Sequence, residues 1–382
     1  MPVSRALFAG ALALLLGLTW TGWALGADEV QPAQPGQAPQ AAQPDQPKDQ
    51  PAPPADPEAT LFAAVTAKAS AAPPQGATRQ EQLGLITKHL LEVQQLCTEY
   101  VQKFPEAAHV GTVKIIRMRT VLLGTVLTQD PVAGAEAAKE GEKLLADYGK
   151  TPEAGDLRAV LIQHYLANNK LEEATQHLKV LAADPGSPLA PQALILLAQI
   201  DFGQEKFADA VASLKQLSEK FPQTNEGITA QRMLPLASLA GQKLQMKFTS
   251  TAGKGISIED YRGKVVLVSF WASRSQACQQ DTPGLVKLHE ERGKDGFDII
   301  GVSLDTEKGE MEAYVKGSGM TWPEFFDPKG AESDLVRGYG VFALPTTLLV
   351  DRSGVVRSVN LRGEQLASRV DFLLKEKPEK AQ

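Results

Sequence analysis

Apolar residues change their spacing three times along this chain, and each change predicts a different kind of structure. After Arg5, the stretch Ala6 to Leu18 is almost continuously apolar. From Ala27 to about Glu58 no apolar face forms at any period. Pro, Gln, Ala and Asp dominate instead, as in Gln31-Pro32-Ala33-Gln34-Pro35 and Pro51-Ala52-Pro53-Pro54. From about Ala59 to Gln242 the apolar residues recur at three- and four-residue steps. Ile86, Leu90, Val93, Cys97 and Tyr100 make one such face, which is the helical pattern. From about Leu244 to Leu374 short β-branched runs alternate with helical stretches.

In that last region the spacing predicts strands at Val265 to Phe270, Ile299 to Leu304, Thr346 to Val350 and Val355 to Val359. Helices are expected around Pro283 to Arg292, Glu307 to Gly317 and Asp334 to Tyr339, with a last one from about Gln365 to Lys375. Alternation of this kind, with strands apolar on both sides, predicts a sheet covered on both faces. Asp351-Arg352-Ser353-Gly354 reads as a turn joining two strands, so the sheet should be mixed. The fold class expected is therefore multidomain, an all-α helical-repeat domain followed by an α/β domain with a mixed central sheet. The boundaries read as 1–26 for a signal peptide, 27–58 for a disordered linker, 59–242 for the helical domain, 243–376 for the α/β domain and 377–382 for a disordered tail.

The helical region carries an internal repeat. Lys170-Leu171-Glu172-Glu173-Ala174 with Leu178 returns as Lys206-Phe207-Ala208-Asp209-Ala210 with Leu214, and each copy is followed by proline, at Pro185 and Pro222. With Leu197 and Ala198, the second copy resembles a tetratricopeptide repeat. In such a repeat small residues let paired helices approach and proline closes the unit. Phe104-Pro105 and Thr151-Pro152 read as the ends of earlier, more degenerate units. One repeat cannot bury its own apolar face, so several must stack. Their role is either a spacer or a surface that holds a protein partner.

Composition narrows the function classes. A formal net charge of −6 gives no support for nucleic-acid binding, which calls for a basic face. The five histidines are scattered, no Cys/His cluster has metal-ligand spacing, and neither a metal nor a cofactor is expected. The two cysteines, Cys97 and Cys278, exclude a disulfide-stapled scaffold. Arg5, the apolar run and the small residues of Ala24-Leu25-Gly26 read as a secretory signal. Because the run extends through Trp20 and Trp23, a retained anchor stays open, and the membrane is a partner only in that case. Either way the rest of the chain is exported, to the periplasm or cell envelope. The proline-rich stretch is then a semi-extended tether.

The chemistry-bearing stretch is Val265-Val266-Leu267-Val268-Ser269-Phe270-Trp271-Ala272-Ser273-Arg274-Ser275-Gln276-Ala277-Cys278-Gln279-Gln280-Asp281-Thr282-Pro283. A buried strand runs into a polar loop, and one cysteine sits where a helix should begin. The unpaired amides and positive dipole end of a helix N-terminus favour thiolate at such a position. The stretch resembles the active-site segment of thioredoxin-like disulfide reductases of the TlpA/ResA type, which reads roughly F-W-A-T-W-C-x-x-C-x-x-E-x-P. Phe270, Trp271, Ala272, Cys278 and Pro283 fall on that pattern, and Asp281 takes the place of its acid. Ser275 stands where that family has its exposed attacking cysteine, and Arg274 where it has tryptophan. Tyr261-Arg262-Gly263-Lys264-Val265-Val266, Gly301-Val302-Ser303-Leu304-Asp305 and Tyr339-Gly340-Val341 leading to Leu344-Pro345-Thr346-Thr347 resemble three further family segments in the same order. The resemblance implies a thioredoxin-like fold and a cis peptide bond before Pro345. It also implies that the Leu344 backbone pairs with an extended substrate.

By this resemblance the candidate catalytic residues are Cys278, Ser275 and Asp281, and the candidate substrate-binding residues are Trp271, Arg274, Leu344 and Pro345. Disulfide exchange by the family route needs two thiols, one to attack and one to resolve. With Ser275 in the first position, Cys278 can form a mixed disulfide but cannot release it internally. Asp281 can take a proton from the thiol or be a solvated charge, and Arg274 can stabilise thiolate or lie on the surface. Three functions follow. The first is an exported thiol-disulfide oxidoreductase homologue in envelope redox homeostasis, acting as a monothiol or binding variant on protein thiols, disulfides or a peptide partner. The second is a one-cysteine peroxiredoxin-like peroxidase using Cys278, with Arg337 as a conceivable thiolate partner and Trp271 where that family carries proline. The third is a non-catalytic adaptor working through its helical repeats. Cys97 reads as a small core residue, with a redox partnership to Cys278 as the sharper alternative.

Overall fold

Helical segments come first along the chain and the strand-bearing segments follow, but the compact units do not divide at the 242/243 boundary read from the apolar spacing. The computed structural model describes residues 56–76 and 78–376. The expected signal segment, the tether up to residue 55 and the last six residues lie outside the described residues. What is described falls into two compact units, one ending at Leu189 and the other beginning at Ala190.

The first unit is helical: α1 (Pro57–Ser70), α2 (Arg79–Lys103), α3 (Val110–Thr128), α4 (Pro131–Tyr148), α5 (Ala154–Ala167) and α6 (Leu171–Ala183). Its helices start where the sequence supplies caps. Asp56 accepts from the Glu58 amide ahead of α1, and Thr78 and Glu81 form a reciprocal capping box on α2. Asp130 caps α4, with Pro131 in its first turn. The stripe read from the sequence packs inward, since Val93, Cys97 and Tyr100 share a core with Val65, Val113 and Ile116.

The second unit opens with α7 (Ala190–Gly203), α8 (Phe207–Lys220) and α9 (Asn225–Ala237). The turns before α6 and α8 share one geometry. Asn169 and Glu205 each turn with positive φ, at 57° and 59°. The next residue, Lys170 or Lys206, donates its amide to a carbonyl of the preceding helix at 2.8 Å. Ala174 and Ala210 are both wholly buried, as small residues at a helix crossing should be.

The remainder of this unit is the α/β domain. A two-stranded ribbon, β1 (Lys247–Thr249) and β2 (Gly255–Ser257), precedes the central strand β3 (Val265–Trp271). Then come α10 (Gln276–Arg292), β4 (Phe297–Ser303), α11 (Lys308–Ser318), β5 (Glu324–Phe325), α12 (Asp334–Gly338), β6 (Thr346–Val350), β7 (Val356–Val359) and α13 (Gly363–Lys375). The sheet order is β5-β4-β3-β6-β7, parallel on the β4–β5 side and antiparallel on the β6–β7 side, so it is mixed. Every residue of β3 is buried. Its alternate side chains divide between two cores: Val266, Val268 and Phe270 in one, Val265, Leu267 and Trp271 in the other. Both faces are covered. The first core takes in Leu236 of α9 and Val336 of α12, and the second takes in Leu288, Met311, Leu366, Val370 and Leu373 from α10, α11 and α13.

Two features depart from the spacing. The ribbon and the two-residue β5 are too short to show a period. α10 begins at Gln276 and runs through Pro283 rather than starting there. The Ser275 cap lets the helix form before the proline, whose missing N–H removes one helical hydrogen bond. Glu205 bridges Arg357 on β7 and Arg369 on α13, which ties the α7–α8 turn to the sheet.

Candidate active site

The end of β3 delivers its loop to one place because a buried carboxylate holds it there. Asp305, just past β4, accepts from the Ser273 amide at 3.0 Å to each oxygen and from the Ser273 hydroxyl at 2.8 Å. Ser303 donates its hydroxyl to the same carboxylate at 2.9 Å. The loop then passes into α10 at Ser275, whose Oγ accepts from the Cys278 amide at 3.4 Å and caps the helix. Serine is among the best residues for this position because its oxygen satisfies an otherwise orphaned amide. Cys278 therefore sits in the first turn, buried, with its carbonyl accepting from Thr282 Oγ1 at 2.8 Å.

The peptide bond between Leu344 and Pro345 is cis. Pro345 and Cys278 line one small, partly enclosed pocket together with Ser269, Trp271, Asp281, Thr282, Leu285, Met320 and Trp322. Leu344 packs against the same core that contains Cys278. Of the residues nominated from the sequence, the fold thus gathers Trp271, Cys278, Asp281 and Pro345 around one sulfur, with Ser275 capping its helix and Leu344 behind it. Arg274 goes elsewhere. Its guanidinium is exposed and makes a double hydrogen bond to Glu310 on α11. Arg337 also stands on the surface, 3.9 Å from Glu332.

Several site residues escaped sequence reading. Arg362, at the N-cap position of α13, donates to the Asp281 carboxylate and, at 3.4 Å, to the Ala277 carbonyl. Asp281 strengthens the hold of Arg362 on its proton, and the nearby Cys278 sulfur adds to that effect. A cation thus lies within electrostatic reach of the thiol, supplied by the far end of the domain. Met320 and Trp322 come from the segment before β5. Asp305 lies at the end of Gly301-Val302-Ser303-Leu304-Asp305, one of the segments that carry the family resemblance. Cys97 is wholly enclosed among apolar side chains, and that burial pushes its thiol up to about 12. Among the described residues no cluster of three or more His, Cys, Asp or Glu has a metal-holding arrangement.

A mixed sheet with helices on both faces, a thiol in the first turn after the central strand and a cis-proline facing it define a thioredoxin-like protein. Sequence comparison with known proteins agrees. The model of the AhpC/TSA family matches residues 240–359. Over 127 residues the chain is 31% identical to the thiol-disulfide oxidoreductase ResA of Bacillus thuringiensis subsp. konkukian (strain 97-27), a span of 33% of this chain and 71% of that protein. It is 32% identical over 113 residues to the thioredoxin-like protein YneN of Bacillus subtilis (strain 168), covering 29% of this chain and 64% of that one. A solved thioredoxin domain of a thiol-disulfide oxidoreductase from Bacteroides vulgatus is 28% identical, with a TM-score of 0.33, over 35% of this chain and 97% of that one. Through its α/β domain the chain belongs to the ResA family of thiol-disulfide oxidoreductases.

Proposed function

We propose that this protein is an exported, single-thiol member of its family, with Ser275 in place of the first active-site cysteine and Cys278 as the reacting group. The observation that carries this reading is the position of the Cys278 sulfur, in the first turn of α10 and in the same pocket as the cis-proline. The Cys278 thiolate attacks one sulfur of a partner disulfide. The partner's S–S bond breaks, its other sulfur leaves as thiolate, and a disulfide between Cys278 and the partner forms. A thiolate from the partner's second cysteine, or from an external small thiol, then attacks that bond and releases Cys278 reduced. Ser275 cannot resolve the intermediate because a hydroxyl is scarcely ionised near neutral pH.

In this reading Trp271 and Pro345 wall the approach to the sulfur, and the Leu344 backbone pairs with an extended partner segment. Arg274 lies outside this machinery. The same reading assigns export to residues 1–26, a tether that lifts the folded part away from the membrane or wall to 27–58, a protein-binding surface to tetratricopeptide-like repeats in 59–242, and the thiol to 243–376. Among the described residues no helix is long and apolar enough to cross a membrane.

A second reading, a one-cysteine peroxidase, is favoured by Arg362, a cation near the thiol of the kind that would steady an anionic thiolate attacking a peroxide. Against it, Trp271 occupies the place of that family's proline. The test is insulin reduction with dithiothreitol, and peroxide turnover with an external thiol, each compared with Cys278→Ser. Cysteine-dependent insulin reduction is expected. Peroxide turnover alone selects the second reading, and no dependence on Cys278 in either assay leaves a non-catalytic adaptor.

A further inference from the structure

A wall residue of the thiol pocket, Trp271, is held by a buried carboxyl that the disulfide chemistry does not use. Glu324, on the edge strand β5, is paired in register with Gly301 of β4. Its side chain lies flat across that glycine, so that a Cβ added to Gly301 would fall 2.0 Å from Glu324 Oε2. The carboxyl thereby reaches over β4 toward β3, where it accepts from Trp271 Nε1 at 2.9 Å. Trp322 Nε1 also approaches it without completing a hydrogen bond. Both that nitrogen and Glu324 Oε1 are buried and otherwise unpartnered among the described residues. Trp271 and Trp322 are two walls of the pocket that holds Cys278. Two indole N–H groups therefore converge on one buried carboxyl, and the same two tryptophans line the space beside the sulfur.

We propose that Glu324 is a positioning residue of the thiol pocket: through the indoles of Trp271 and Trp322 it sets the shape of the space beside Cys278, and its charge state changes how firmly those walls are held. The inference rests on Cys278 being the reacting group. A neutral carboxyl and a carboxylate differ as acceptors, because hydrogen bonds to an ionised acceptor are roughly twice as strong. Burial raises Glu324's affinity for its proton, moving it to about 8, while the two indoles oppose the shift and Asp305 adds to it. The carboxyl therefore changes charge just above neutrality. Asp305 is the other ionisable group acting on Glu324. His289 of α10 stands edge-to-face against Trp322 and must be separated from it in any titration.

The experiment uses the full chain, in wild-type, Glu324→Gln and His289→Gln forms. Tryptophan fluorescence is followed from about pH 6 to about pH 9.5, together with the rate at which iodoacetamide captures Cys278, read by peptide mass spectrometry. Glutamine keeps the acceptor for Trp271 and removes the titration. Wild type and His289→Gln should show a fluorescence transition near 8 that Glu324→Gln lacks. The ratio of Cys278 capture at pH 9 to that at pH 7 should differ between wild type and Glu324→Gln by about fivefold, the factor that one ordinary net hydrogen bond is worth. A fluorescence transition that survives in Glu324→Gln, is absent from wild type or vanishes in His289→Gln overturns the proposal, as does an unchanged capture ratio. Should Cys278 resist capture in every form while the fluorescence transition follows Glu324, the single-thiol reading fails and the anchoring of the indoles stands alone. Gly301→Ala gives a second arm, because it displaces the Glu324 carboxyl from the indoles without altering it: the fluorescence transition should shift or shrink, and one identical to wild type overturns the proposal.

Discussion

The protein has two cysteines, both almost wholly buried, and their surroundings could hardly differ more. Cys97 lies mid-helix in a core of Val65, Val93, Tyr100, Val113 and Ile116, where burial outweighs the pull of Arg117 and Arg119 and pushes the thiol up to about 12. Cys278 lies in the first turn of a helix, beside a pocket, with Arg362 and Asp281 at hand and a cis-proline opposite. Burial alone therefore says little about a sulfur. What distinguishes the two is the company each keeps: apolar packing in one case, helix-end amides and an ion pair in the other.

The strongest way to break this comparison is to exchange the sulfurs for oxygens. Cys278→Ser should abolish thiol-dependent activity while leaving thermal unfolding nearly unchanged. Cys97→Ser should do the reverse, keeping activity but losing about 1–3 kcal/mol of stability, because a hydroxyl would be placed in a core with no partner. Activity assays and chemical denaturation of both variants decide it, and an active Cys278→Ser or an inactive, fully stable Cys97→Ser would erase the distinction.

Restoring the family's dithiol sharpens it further. Ser275→Cys should create insulin-reductase activity well above the wild-type level, since the new thiol stands one helical turn from Cys278. The same change removes the hydroxyl that caps α10, so it should lower stability by about 0.5–2 kcal/mol. A gain in stability would mean that the cap contributes nothing.

The buried acid that holds Trp271 yields a pH-dependent effect. Glu324 is raised from 4.5 to about 8 in the folded protein, so between those values the folded state holds a proton that the unfolded chain has released. Stability should accordingly fall as the pH rises from 4.5 to about 8, by on the order of a few kcal/mol. Glu324→Gln should flatten that slope. Unfolding midpoints in urea at several pH values measure it, and parallel profiles for wild type and variant would contradict the assignment.

The smallest effect concerns Arg362. Its bond to Asp281 is partly exposed, with side-chain exposures of 43% and 23%, so Arg362→Met should change stability by less than about 1 kcal/mol. Its influence on Cys278 should show instead as a slower rate of thiol capture at neutral pH. If capture is unaffected, Arg362 serves only its carboxylate partner.

How far residue order alone reaches follows from the same contrast. The all-buried β3 and the two-faced sheet rest on local periodicity and could be read directly, whereas the start of α10 at Gln276 depends on the Ser275 cap and precedes the helix the spacing placed at Pro283. The cis bond at Pro345 was implied by the family resemblance of Leu344-Pro345-Thr346-Thr347. Arg362 and Glu324 could not be read this way. Each acts through one side chain reaching a partner far away in sequence, 81 residues in one case and 53 in the other, and such a pair leaves no period. Arg274 shows the converse hazard: adjacent in sequence to Ser275, it is exposed and pairs with Glu310 rather than with the thiol.

The account stands or falls on which sulfur meets a disulfide. Incubating the full, reduced chain with an excess of oxidised glutathione and mapping the adduct by peptide mass spectrometry answers this in one step. A glutathionyl group on Cys278 with Cys97 unmodified is the predicted result; an adduct on Cys97, or none on either sulfur, would contradict it.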